Sequence, residues 1–94
     1  MSKIYKNQTD LTLKLITGKN LTGATSIKIA YKDPHGTISE WTATIENALT
    51  GTIKYDIVTP LNIAGNWTIW AKIIQNSLLS IGESVTFQVY NEGE

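Results

Sequence analysis

Apolar and polar side chains alternate with a period of two along most of this chain, and the 3.6-residue period of an amphipathic helix is missing. Leu11, Leu13 and Leu15 alternate with Thr12 and Lys14. Ile27, Ile29 and Tyr31 alternate with Lys28, Ala30 and Lys32. Trp41, Ala43 and Ile45 alternate with Thr42, Thr44 and Glu46. Ile53, Tyr55 and Ile57 alternate with Lys54 and Asp56. Trp67, Ile69, Ala71 and Ile73 alternate with Thr68, Trp70, Lys72 and Ile74. Val85, Phe87 and Val89 alternate with Thr86, Gln88 and Tyr90. Successive strand side chains point to opposite faces, so each first-named set is the expected core face. That places Tyr31, Trp41, Tyr55, Trp67 and Phe87 inside, with Trp41 near the core centre.

Turn chemistry separates these runs. Asp33-Pro34-His35-Gly36 has the order of a type I turn, with Asp first, the fixed φ of Pro second and Gly last. Thr17-Gly18-Lys19-Asn20, Thr22-Gly23, Asn47-Ala48-Leu49-Thr50-Gly51 and Thr59-Pro60 mark further breaks, and Gln75-Asn76-Ser77 and Gly82 bracket a looser connection. Regularly spaced short strands of this kind predict an all-β fold, an antiparallel sandwich of six or seven strands. Ala64-Gly65-Asn66-Trp67 has the form of an immunoglobulin-like corner. There Gly65 takes a positive φ and Trp67 plugs the end of the core, its indole N–H needing an acceptor.

The 94 residues make one domain, 1–94, with residues 1–8 as a candidate N-terminal arm and 91–94 as a frayed polar tail. All eight basic residues are lysines spread along the chain, and eight acidic residues bring the net charge to zero. No basic stripe forms, which argues against nucleic-acid binding. There is no Cys, no apolar signal core and no run of about 18 apolar residues, so folding in the cytoplasm without membrane insertion is expected.

Catalytic patterns are weak. His35 stands beside Asp33, where a metal ligand or base is conceivable, but an exposed turn residue is the expected role. Ser39 or Ser77 completes a Ser/His/Asp set on paper only, with nothing to set its geometry. Glu40 and Glu46 fall on outward strand positions, where solvated charge is the default. No catalytic, metal or cofactor-binding residue is assigned, and the chain is expected not to be an enzyme.

The outward faces are more informative. Strand parity puts Trp70, Ile74 and Tyr90 on the outer side, among Thr42, Thr44, Thr86 and Gln88. An aromatic patch suits contact with a second subunit or another protein, and it also suits stacking on a sugar; the alternatives are that the stems of Lys72 and Gln88 or a loop cover it, or that the aromatics are singly exposed. Leu78 and Leu79, with Ile81, are unusually apolar for a connection. They are expected to tuck under the sandwich end, with projection into a neighbour as the alternative. An uncovered edge strand is a further route to association.

The D-P-x-G-T turn at Asp33–Thr37, the A-G-x-W corner at Ala64–Trp67 and the G-E-x-V-x-F-x-V-Y strand at Gly82–Tyr90 follow in order. Together they resemble small stand-alone immunoglobulin-like virion proteins of tailed bacteriophages. The resemblance covers nearly the whole chain. It implies a non-enzymatic virion structural or accessory protein: a capsid decoration, head-fibre or tail/baseplate subunit. Its partners would be other virion proteins or itself as a homo-oligomer, with a host surface glycan as a further ligand. It would be located in the virion. The alternative is a carbohydrate- or cell-surface-binding module.

Overall fold

The computed structural model describes residues 4–58 and 61–93. The alternating runs form strands because one face of each finds an apolar layer to pack on. Nine strands are present among the described residues: β1 Ile4–Tyr5, β2 Thr12–Ile16, β3 Ala24–Lys32, β4 Ile38–Thr42, β5 Thr44–Asn47, β6 Thr52–Asp56, β7 Gly65–Gln75, β8 Leu78–Ile81 and β9 Val85–Tyr90. One sheet has the order β1-β9-β7-β3-β4, with β8 also paired to β7; the other has the order β2-β6-β5. The architecture is an all-β, immunoglobulin-like sandwich.

Ile29, Ile69, Ala71 and Ile73 of the first sheet pack against Leu15 and Ile53 of the second. Each such Ile or Leu side chain contributes about 1.5–3 kcal/mol when fully buried. Leu21, from the β2–β3 loop, closes one end of this core and is fully buried. Leu61, Trp67 and Val89 form a second cluster at the opposite end. Among the described residues, ion pairs Lys14–Glu46 at 2.9 Å and Lys72–Glu40 at 3.1 Å lie at the surface. Such surface pairs are worth at most about 1 kcal/mol each.

The strand count corrects the expected six or seven. The third alternating run divides at Ala43: Ile38–Thr42 belongs to the first sheet and Thr44–Asn47 to the second. Thr42 and Thr44 therefore lie on different sheets. β7 pairs with β3 rather than with this run. Trp41 consequently sits on an edge strand and is half-buried, not central. Tyr31, Tyr55 and Phe87 are likewise half-buried, and of the five predicted core aromatics Trp67 alone is fully enclosed.

Residues 4–8 are no free arm. Ile4 and Tyr5 pair in parallel with Val89 and Tyr90. Lys6 N–H donates to the Tyr90 carbonyl and Asn7 N–H to the Leu61 carbonyl, both at 2.8 Å. Residues 1–3, the Thr59-Pro60 break and Glu94 lie outside the described residues.

Candidate functional site

The strand β7 runs the whole length of the first sheet, and its two ends differ. At its start the chain passes Ala64 into Gly65, whose φ is +132°. A side chain there would place a Cβ 3.0 Å from Pro34 Cβ and Cγ. The opposing turn is fixed by Asp33, whose Oδ1 accepts from the His35 and Thr37 N–H groups, both at 2.9 Å. Trp67 is buried beyond the corner and its Nε1–H donates to the Ile63 carbonyl at 2.9 Å, supplying the expected acceptor.

At its other end β7 turns back through Asn76 and Ser77, with φ of 54° and 64°. Two consecutive left-handed residues make a two-residue turn that matches the twist of the flanking strands. The returning strand is β8, in register Gln75↔Leu78, Ile74↔Leu79, Ile73↔Ser80 and Lys72↔Ile81. Gln75 Nε2 anchors the hairpin by donating to the Asn20 and Thr22 carbonyls at 3.1 and 2.9 Å. Lys19 Nζ donates to Ser80 Oγ at 2.8 Å.

Strand parity then decides what shows. Ile73 faces the core, so Ile74, Leu79 and Ile81 face outward beside Lys72. Leu78 shares the inward side with Gln75, yet it is 70% exposed, so no second-sheet strand covers it. Leu79 is 57% and Ile81 63% exposed. Trp70 is half-buried in the row Glu40–Ala30–Trp70, two residues along β7 from Lys72. Beneath the edge, between β2 and β8–β9, lies an open groove of about 770 Å³ lined by Leu13, Leu15, Ala71, Val85 and Phe87 among others.

No family model matches the chain. No curated protein matches it. Among solved structures it is similar to CopC from Methylosinus trichosporium OB3b, with a TM-score of 0.62 and 16% identity over 100% of this chain and 89% of that one. At that identity the likeness shows the fold, an immunoglobulin-like sandwich.

The expectation of a bacteriophage virion protein is corrected here, and with it the carbohydrate- or cell-surface-binding alternative. The structural match falls on CopC, and nothing in the comparisons points to a virion protein. The physical reason lies in the motifs themselves. The Asp33 turn, the Gly65 corner and the β9 alternation each perform a folding task in this structure. A sandwich of this shape needs those tasks done whatever its function.

The predicted surface residues separate into two places. Ile74 and Leu79 lie side by side on the outer face of the β7–β8 end, Leu78 is on the opposite face there, and Trp70 lies on β7 beyond the last residue paired to β8. Tyr90 stands at the other end of the sheet, its ring 6.4 Å from that of Tyr5. Gly65 pairs with Val89, so Tyr90 and Ile74 are about 30 Å apart along β7. Leu78 and Leu79 do not tuck under the sandwich; they form a strand and remain exposed. The composition of Asn76-Ser77 between two apolar runs was the available signal for this hairpin.

His35 and Trp41 lie elsewhere in the fold. Among the described residues, no group of three His, Cys, Asp or Glu side chains is placed to hold a metal ion, and His35 is exposed at its turn. Trp41 lies between Tyr31, at 4.2 Å, and Tyr55, at 4.8 Å, with near-parallel rings. Beside this stack Trp41, Tyr31 and Trp67 line a recess of about 360 Å³.

Proposed function

We propose that this chain is a non-enzymatic association module that binds a second copy of itself through the β7–β8 end of its first sheet. The observation that carries this reading is β8. It is a four-residue edge strand in which Leu78, Leu79 and Ile81 are all more than half exposed. Edge strands present unpaired backbone groups, and soluble proteins usually guard them with charge, proline or a covering element. Leu78-Leu79-Ser80-Ile81 contains neither charge nor proline.

A second copy is the occupant that this chemistry favours. The strand carries no charged residue of its own, and the nearest cation is Lys19, whose ammonium bonds Ser80 Oγ. The chain's net charge is zero, so two copies approach without long-range repulsion. Ile74, opposite Leu79 and exposed, extends the apolar surface beside β8. Stable interfaces bury at least about 1,200 Å². A contact built on a four-residue strand falls short of that, so the association is weak, reversible and concentration-dependent. Sedimentation velocity from micromolar to millimolar concentration tests it. The sedimentation coefficient rises with concentration if the reading is right; a chain that stays monomeric throughout ends the proposal.

A further inference from the structure

We infer that two copies join β8 to β8 as antiparallel strands about a two-fold axis at Ser80, merging their first sheets into one. The inference rests on the self-association proposed above and deepens it by assigning the register. The Gly82 N–H donates to the Ala71 carbonyl at 2.9 Å, so the backbone groups of Gly82 point toward β7. Backbone direction alternates along an antiparallel strand. Ser80 and Leu78 therefore also bond toward β7, and the N–H and C=O groups of Leu79 and Ile81 point to the free edge.

A partner strand must satisfy two requirements at once. Its hydrogen-bonding residues must be edge-facing ones, and its apolar side chains must fall on the outer face. In a second β8, Leu79 and Ile81 meet both requirements. Pairing Leu79 of one copy with Ile81 of the other, and the reverse, engages all the edge-facing groups of both strands. It also sets two Leu–Ile cross-strand pairs side by side, each flanked by an Ile74. A shift by one residue would oppose edge-facing groups to groups already bonded to β7.

The segment is bounded on both sides. The Asn76–Ser77 turn ends it at one side. At the other, the pairs Lys72↔Ile81 and Ile69↔Val85 set three steps on β7 against four on the edge, so one extra residue bulges between β8 and β9. Bulges break an edge for pairing. The far end of β9 is already taken by β1.

This register brings Ser80 opposite Ser80 in a pair not bridged by backbone hydrogen bonds, where side chains approach most closely. The chain has no Cys, so Ser80→Cys introduces a single thiol at the axis. Under mild oxidation, Ser80→Cys is expected to form a disulfide-linked dimer at least about tenfold faster than Leu79→Cys, whose two copies lie off the axis. The unmodified protein gives an independent reading. Hydrogen exchange at the Leu79 and Ile81 amides is expected to slow as concentration rises, while the Ser80 amide, already bonded to β7, changes little. Association without preferential Ser80→Cys linkage and without that exchange pattern overturns the register and leaves the self-association proposal standing. A monomer at every concentration overturns both.

Discussion

The two ends of β7 use the same kind of residue in opposite ways. At the Gly65 end, Trp67, Leu61 and Val89 are enclosed, the indole N–H is satisfied and β1 covers the sheet edge. At the Gln75 end, Leu78, Leu79 and Ile81 stand in solvent on an uncovered edge. Both ends are apolar in sequence. The difference is what lies across from them: at the first end, loop residues such as Leu61 and Ile63 come over to meet the strand; at the second, the hairpin carries Leu78 beyond the second sheet's cover. The core itself reaches both ends, closed by Leu21 at one and by Leu61 at the other; Leu78, Leu79 and Ile81 lie outside it, and the capacity to associate rests with them.

Substitutions at each end separate these roles. Trp67→Ala should cost about 3–5 kcal/mol, because it opens a cavity and strands the Ile63 carbonyl. Chemical denaturation would read this as a large drop in midpoint. Gly65→Ala should cost about 1–3 kcal/mol through its positive φ and its approach to Pro34. A thermal midpoint lower by several degrees would show it. Equal tolerance of both changes would mean that the corner does not close the core as described.

At the open end the signature reverses. Leu79→Lys should leave stability within about 0.5 kcal/mol of the parent. It should nonetheless weaken dimerisation by about tenfold or more, since an ammonium would be set beside the partner's Ile81. The smallest effect belongs to Lys19. Its ammonium lies 2.8 Å from Ser80 Oγ, so a two-fold at Ser80 brings two like charges together. Lys19→Ser should tighten dimerisation by about two- to fivefold at low ionic strength, and added salt should tighten the parent but not the variant. Titration in a low-salt and a high-salt buffer would measure both.

How much of this was legible in the sequence varies with how local the cause is. Alternation located the inward faces of β2, β3, β6, β7 and β9. The need of Trp67 for an acceptor and of residue 65 for glycine followed from local chemistry. The sheet change at Ala43 left no mark, because Trp41, Ala43 and Ile45 keep their period of two through the crossing and no Gly or Pro punctuates it. Leu21 and Leu61 belong to no alternating run, so their burial depends on where loops happen to fold. The strand β8 is hard to see in the sequence, because Leu78-Leu79-Ser80-Ile81 does not alternate cleanly and Asn76-Ser77 lacks the glycine common in such turns. The apolar character of the candidate site was visible; its exposure was not, since that depends on how far the second sheet extends beneath it. The virion resemblance rested on folding motifs, and these identify a sandwich without identifying its use.

The most direct test compares one charge introduced at each end of the outer face. Leu79→Lys lies on β8, and Gln88→Lys is an exposed position on the same face near the closed end. Both proteins and the parent would be followed by light scattering over a concentration series. The account predicts that the parent and Gln88→Lys dimerise alike while Leu79→Lys remains monomeric. Equal dimerisation of all three, or loss in Gln88→Lys alone, would contradict it.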